Sequence, residues 1–256
     1  MKKILFAASE AVPFMKTGGL ADVTGSLPKY FDKKNYDVRV ILPKYVCMEE
    51  RWKGQLHFLC HFYVNLSWRK QYVGIFETTY DGITYYLVDN EFYFAGNAPY
   101  NNIYEDVEKF AFFSKAVLEA LPYLDFCPDI IHCHDWQTGL LPVFLRTLYG
   151  DEEYYTGIKT VFSIHNLKFQ GRWKLNEVKD ITGLPAKFFM PDQLESYGEA
   201  NYLKGGIVYS DMVTTVSKCY AQEITTPEGG EGLDGLLRAK SDHLYGIVNG
   251  IDYDEY

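Results

Sequence analysis

Residues 4–42 read ILFAASEAVPFMKTGGLADVTGSLPKYFDKKNYDVRVIL, and the fold is decided in this stretch. Residues 4–8 form a short apolar run without alternation, the pattern of a strand buried on both faces of a parallel sheet. The run breaks at Ser9 and Glu10 and a Pro-containing loop follows. Gly18 and Gly19 then precede LADVTGSLPKYF, which reads as a helix, and residues 37–42 (DVRVIL) read as a second buried strand. A strand, a helix and a parallel strand within about forty residues predict an α/β chain with a Rossmann-like, doubly wound, mostly parallel sheet.

Residues 56–88 break that pattern. The segments LHFLCHFYVNL, QYVGIFETTY and ITYYLV are rich in β-formers, and the last two flank Asp81 and Gly82, a hairpin-turn pair. They predict antiparallel hairpins that extend the sheet or lie beside it. Residues 103–121 carry apolar side chains at helical spacing, including Val107, Phe110, Ala111, Val117 and Leu118. Further strands are expected at 129–133, 159–164, 212–216 and 245–248. With no internal repeat or low-complexity linker, the 256 residues are expected to form a single domain.

A hydrophobic fraction of 47% is ordinary for a full core, so most of the 22 Tyr and 17 Phe belong inside. The net charge of -9 argues against nucleic acid or an anionic membrane as the main partner. Five cysteines, an odd number with no CxxC, read as reduced thiols of a cytoplasmic protein. The first apolar run is too short for a signal peptide, and no run approaches a membrane span.

Ligands of open α/β sheets sit beyond the carboxyl ends of the strands. After the first strand come Lys16, Thr17, Gly18, Gly19, Leu20, Ala21 and Asp22. Two glycines permit close backbone approach to an anion, the helix start offers N–H groups, and Lys16 adds charge. A plain Gly-rich turn with a solvated Lys is the competing reading. Next, residues 132–136 read HCHDW. His132 and His134 share one strand face, but HxH without a spaced third ligand is a weak metal signal. Asp135 and Trp136 are placed facing the cleft, as a hydroxyl acceptor and a stacking ring, while Asp135 could equally cap the following helix. His165 and Asn166 follow the 159–164 strand, and either could serve a polar ligand or the structure. Asn249 and Gly250 form a turn after the last strand. Convergence of these ends on one sheet edge predicts a binding cleft.

The strings KTGGLADV, HCHDWQTGLLP, SIHNLKFQG, TTVSKCYAQEI, TPEGGEGLDGLL and GIVNGID occur in the order and approximate spacing seen in bacterial glycogen synthases and plant starch synthases. The chain resembles that family over essentially its whole length. The resemblance implies a retaining glycosyltransferase of the GT-B fold, of which this chain matches only the N-terminal Rossmann-like half. It implies ADP-glucose as donor and an α-1,4-glucan such as glycogen or a maltooligosaccharide as acceptor, with no cofactor and no metal. Carried over by position, Lys16, Gly18, Gly19 and Asp22 match the donor loop. His165 matches the histidine that contacts the transferred glucose, and Asn166 and Asn249 lie near it. Tyr93, Asp135 and Trp136 match acceptor-side positions, and Lys16 and His165 would assist catalysis. Tyr93 and Tyr100 keep the family's separation, but Ala95 stands where Arg is common. The implied second domain would supply further phosphate-binding cations, so the isolated chain is expected to be inactive or nearly so. A non-catalytic glucan-binding module is the alternative. An NAD-type oxidoreductase is disfavoured because the GxGxxG fingerprint is missing.

Overall fold

The computed structural model describes residues 1–250. Ile251 and Asp252 of the GIVNGID string lie outside the described residues. The chain opens with β1 (Lys2–Ala7), α1 (Gly19–Ser26) and β2 (Tyr36–Pro43), the βαβ unit that its sequence predicts. After the single turn α2 (Glu50–Lys53) come β3 (His57–Leu66), β4 (Arg69–Tyr80) and β5 (Ile83–Asp89). The long helix α3 (Ile103–Ala120) leads to β6 (Ile130–His134), α4 (Leu140–Thr147), the short α5 (Glu153–Thr156) and β7 (Lys159–Ile164). A small antiparallel sheet follows, made of β8 (Arg172–Lys174), β9 (Glu195–Ser196) and β10 (Glu199–Asn201), with α6 (Leu175–Thr182) between its first two strands. The remaining elements are α7 (Tyr202–Tyr209), β11 (Met212–Thr215), α8 (Lys218–Glu223), α9 (Asp234–Ala239) and β12 (Leu244–Gly246).

The main sheet has the order β12-β11-β7-β6-β1-β2-β5-β4-β3. All pairs from β12 across to β5 are parallel, and β4 is antiparallel to both of its neighbours. The predicted hairpins thus extend one end of the parallel sheet. Asp81 and Gly82 turn the chain between β4 and β5 with φ of 49° and 71°, the left-handed pair that matches strand twist.

Burial on β1 explains its unbroken apolar run. Leu5 and Ala7 belong to the larger core, under α3 and α4, while Ile4 and Phe6 belong to the second core on the opposite face. Asn102 caps α3 by accepting from the Glu105 N–H at 3.1 Å, and Phe110, Phe112 and Phe113 of that helix are fully buried.

Several boundaries shift by a residue or two, and three elements differ from the sequence reading in a way that matters for the cleft. The first helix stops at Ser26 and tightens into a 3₁₀ turn over Leu27–Tyr30, where Pro28 has no N–H to continue an α-ladder. The helix expected from Trp136 is a 3₁₀ turn over Trp136–Thr138 followed by α4. The last strand spans Leu244–Gly246; the Ile247 N–H still bonds Thr215 O at 2.8 Å, but Ile247 and Val248 are 60% and 72% exposed.

Candidate active site

The chain runs from β1 outward to β2 and later returns to place β6 on the other flank of β1. The topological switch point therefore lies beyond the carboxyl ends of β1 and β6, where doubly wound sheets bind ligands. Glu10 stands there, 2% exposed, directly after β1. Its carboxylate accepts from the backbone N–H and the hydroxyl of Thr17, and from Tyr100 Oη at 2.5 Å. Tyr100 also bonds Ser9 Oγ at 2.8 Å. Burial, reinforced by the Glu10 carboxylate, pushes the Tyr100 phenol well above its ordinary pKa, so it stays a neutral donor. Glu10 thereby ties the Gly-rich loop to the sheet end and to the loop before α3.

On the neighbouring strand His132 and His134 do share a face, with their rings stacked at 4.2 Å. Cys133 points the other way into the larger core. His132 Nε2 bonds Ser163 Oγ at 2.7 Å, and Ser163 bonds Thr214 Oγ1 at 2.5 Å. His134 Nδ1 meets His165 Nε2 at 2.9 Å. Burial holds all three imidazoles neutral: His132 falls to about 3, His134 falls well below the usual range, and His165 is lowered despite nearby Asp135. Among the described residues no group of three or more His, Cys, Asp or Glu side chains is arranged to hold a metal ion.

Asp135 leaves β6 with φ 56° and ψ −177° and makes no side-chain cap to the turn that follows, so the helix-cap reading is corrected. Its carboxylate instead accepts from the backbone N–H of His165 at 2.8 Å. Burial raises its pKa, opposed by His165 and by backbone N–H donors of His165 and Asn166. Asp135 thus joins the end of β6 to the end of β7.

The Gly-rich loop has an open helix start. Gly18 is extended and Gly19 begins α1, and a Cβ built on either would meet nothing within 4 Å. The first N–H groups of a helix have no intrahelical acceptor, so this end presents donors toward the cleft. Lys16 and Asp22 flank it and pair at 2.6 Å. Gly19, Asp22, Asn249 and Gly250 also line a cavity of about 750 Å³ together with Tyr30 and the exposed Ile247 and Val248. The structure thus brings Gly19 and Asp22 of the Gly-rich loop to one groove with Asn249, and Asp135, His165 and Asn166 together at the ends of β6 and β7.

Two sequence-predicted residues are placed otherwise. Trp136 is 7% exposed; its indole packs on Phe110 at 5.3 Å and its six-membered ring lies directly over Gly171. Tyr93 is 6% exposed, stacks on Phe112 at 4.6 Å and donates to Glu108 at 2.7 Å. Neither offers an open ring face to a sugar, because α3 and the 170–171 turn pack over them. These two belong to the wall behind the site. From sequence, Glu10 has no assigned role, Tyr100 enters only through the family's spacing, and His134 only as half of a weak HxH metal signal. An acid immediately after the first buried strand was the available signal for Glu10, whereas nothing local distinguishes His134 from His132.

The sequence profile described as starch synthase catalytic domain matches residues 3–239. The glycogen synthase of Lachnoclostridium phytofermentans is 66% identical over the whole chain, which spans 54% of that relative, and that of Lachnospira eligens is 64% identical over the same share. Among solved structures, the catalytic domain of Starch Synthase IV from Arabidopsis thaliana, bound to ADP and acarbose, superposes with a TM-score of 0.89 at 33% identity. That match covers 99% of this chain and 52% of the other. The chain therefore spans about half the length of the relatives it matches. With a profile match over most of its length and a shared sheet, it belongs to the starch synthase catalytic domain family.

Proposed function

We propose that this chain forms one wall of a retaining glucosyltransferase that moves glucose from ADP-glucose to the non-reducing 4-hydroxyl of an α-1,4-glucan. The observation that carries this reading is the open N-terminus of α1 lying at the same sheet edge as His165. A departing diphosphate accumulates negative charge as the glycosidic bond breaks. Backbone donors at Gly18 and Gly19, with Lys16 beside them, suit that charge. His165 and Asn166 at the next strand end suit the hydroxyls of the glucosyl group, with Asn249 across the groove. Asp135 is the acceptor-side polar group nearest to them.

A glycosidase-like double displacement needs a free carboxylate nucleophile with a second acid about 5 Å away. The two acids at these strand ends are engaged, Glu10 by Thr17 and Tyr100, and Asp135 by the His165 N–H. Catalysis by leaving-group stabilisation and positioning fits the residues better. The half-length match to relatives supports an opposite wall in a second Rossmann-like domain, making this chain the N-terminal half of a GT-B enzyme. No metal or cofactor enters the scheme.

The deciding experiment follows labelled glucose from ADP-glucose and from UDP-glucose into glycogen. The intact protein, at the length of its relatives, is expected to transfer with ADP-glucose preferred. Residues 1–256 alone are expected to show little or no turnover and weak ADP-glucose binding by calorimetry. Brisk turnover by the chain alone, or none by the intact protein, would overturn the proposal.

A further inference from the structure

His134 is a fully buried imidazole. One face lies on the His132 ring at 4.2 Å, and the Phe6 ring is 5.3 Å away. His132 is itself pinned through Ser163 to Thr214, so the slot is rigid. Within it His134 makes one hydrogen bond, from Nδ1 to His165 Nε2 at 2.9 Å, and its Nε2 is sealed without a partner.

That geometry discriminates between two proton arrangements. A neutral imidazole carries one N–H. If His165 donated, the His134 proton would sit on Nε2 as a buried, unpaired N–H, the costlier kind of orphan. If His134 donates from Nδ1, only a lone pair is left unpaired. His165 then accepts at Nε2 and carries its own proton on Nδ1, on a residue that is itself partly exposed. Meanwhile Asp135 holds the backbone of the same residue through its N–H.

We propose that His134 is a positioning residue that fixes His165 as its Nδ1–H tautomer and presents that N–H to the ligand at the switch point. The ligand chemistry is an acceptor oxygen, a sugar hydroxyl on the reading above. The kinetic consequence rests on that reading, but the tautomer does not.

The test has two arms, both on the intact protein. In long-range ¹H–¹⁵N spectra of histidine-labelled protein, with the His165 signals identified by their loss in His165→Gln, the wild type is expected to show the Nδ1–H tautomer. His134→Phe, which fills the slot without a donor, is expected to give mixed tautomers. His134→Asn, whose amide nitrogen replaces Nδ1, is expected to restore the wild-type form. In the second arm, kcat is expected to fall about tenfold or more in His134→Phe with KM little changed, and to recover most of the way in His134→Asn. An Nε2–H tautomer in the wild type overturns the proposal whatever the activity, and so does a His134→Phe enzyme with wild-type kcat. If His134→Phe fails to fold, the wild-type and His134→Asn spectra still decide it. Absence of any glucosyl transfer by the wild type would sink the functional reading and leave the tautomer arm standing.

Discussion

Asp135 adopts φ 56° and ψ −177°, a backbone region that side chains other than glycine enter at a cost of about 1–3 kcal/mol. The strain persists because the carboxylate is anchored on the His165 N–H, which would otherwise be left without an acceptor. Two substitutions separate these effects. Asp135→Ala keeps the strain and loses the anchor, whereas Asp135→Gly loses the anchor and relieves the strain. Both are expected to be destabilised in urea unfolding. Asp135→Gly should nonetheless retain about 1 kcal/mol more, after the extra backbone entropy of glycine is subtracted. An alanine variant at least as stable as the glycine variant would remove strain from the account. The same residue shows why the sequence was only partly readable here. The D of HCHDW is visibly polar at a strand end, but whether it caps a helix, faces solvent or holds a residue thirty positions later is set by the partner strand.

At the scale of the element, α1 and its N-cap together carry three glycines, and not all for one reason. A Cβ at Gly25 would lie 2.3 Å from a Val12 methyl carbon, so this glycine lets the helix pack on the loop after β1. Gly18 and Gly19 are explained by neither backbone conformation nor packing: Gly18 is extended and a Cβ on either meets nothing. Both leave open space at the helix start, which the proposed nucleotide-sugar would fill. Gly19→Ala, inside the helix, is therefore expected to leave the melting temperature unchanged or slightly raised, and Gly18→Ala, at the N-cap where glycine is preferred to alanine, to lower it only slightly. They should raise the KM for nucleotide-sugar by about tenfold or more through lost phosphate hydrogen bonds. A rise in KM accompanied by a large fall in melting temperature would mean these glycines are structural after all. The Gly-rich turn was legible in sequence because turn chemistry is local. The ligand-facing role proposed for it rests on the open space that only the packed helix reveals.

For the whole molecule, the stacked His132 and His134 at the sheet centre make stability sensitive to acid. Both are held neutral when folded, with His132 at about 3, against roughly 6.5 in an unfolded chain. Above that value neither state binds the proton, so pH has no effect through them. As pH falls below it, the unfolded chain takes up protons that the folded chain refuses. Each such histidine then removes about 1.4 kcal/mol per pH unit until its folded pKa is reached. The urea midpoint is expected to drop from pH 6.5 to pH 4.5, and to drop less steeply in His132→Phe. Equal slopes in the two proteins would show that His132 is not responsible.

The sequence alone determined the βαβ opening, the parallel sheet with its hairpin extension, and the polar strand ends, as well as the family those strings resemble. Each depends on local signals: an apolar run long enough for a buried strand, an Asp81 and Gly82 turn, a glycine pair before a helix. Only the tertiary structure decided that Trp136 and Tyr93 are walled off, that Glu10 and Tyr100 clasp the loop, and that His134 reaches His165. The Glu10–Tyr100 and His134–His165 contacts join residues 90 and 31 positions apart. An aromatic ring is exposed or buried according to what packs over it, and a proton sits where its partner places it, so neither could be read along the chain.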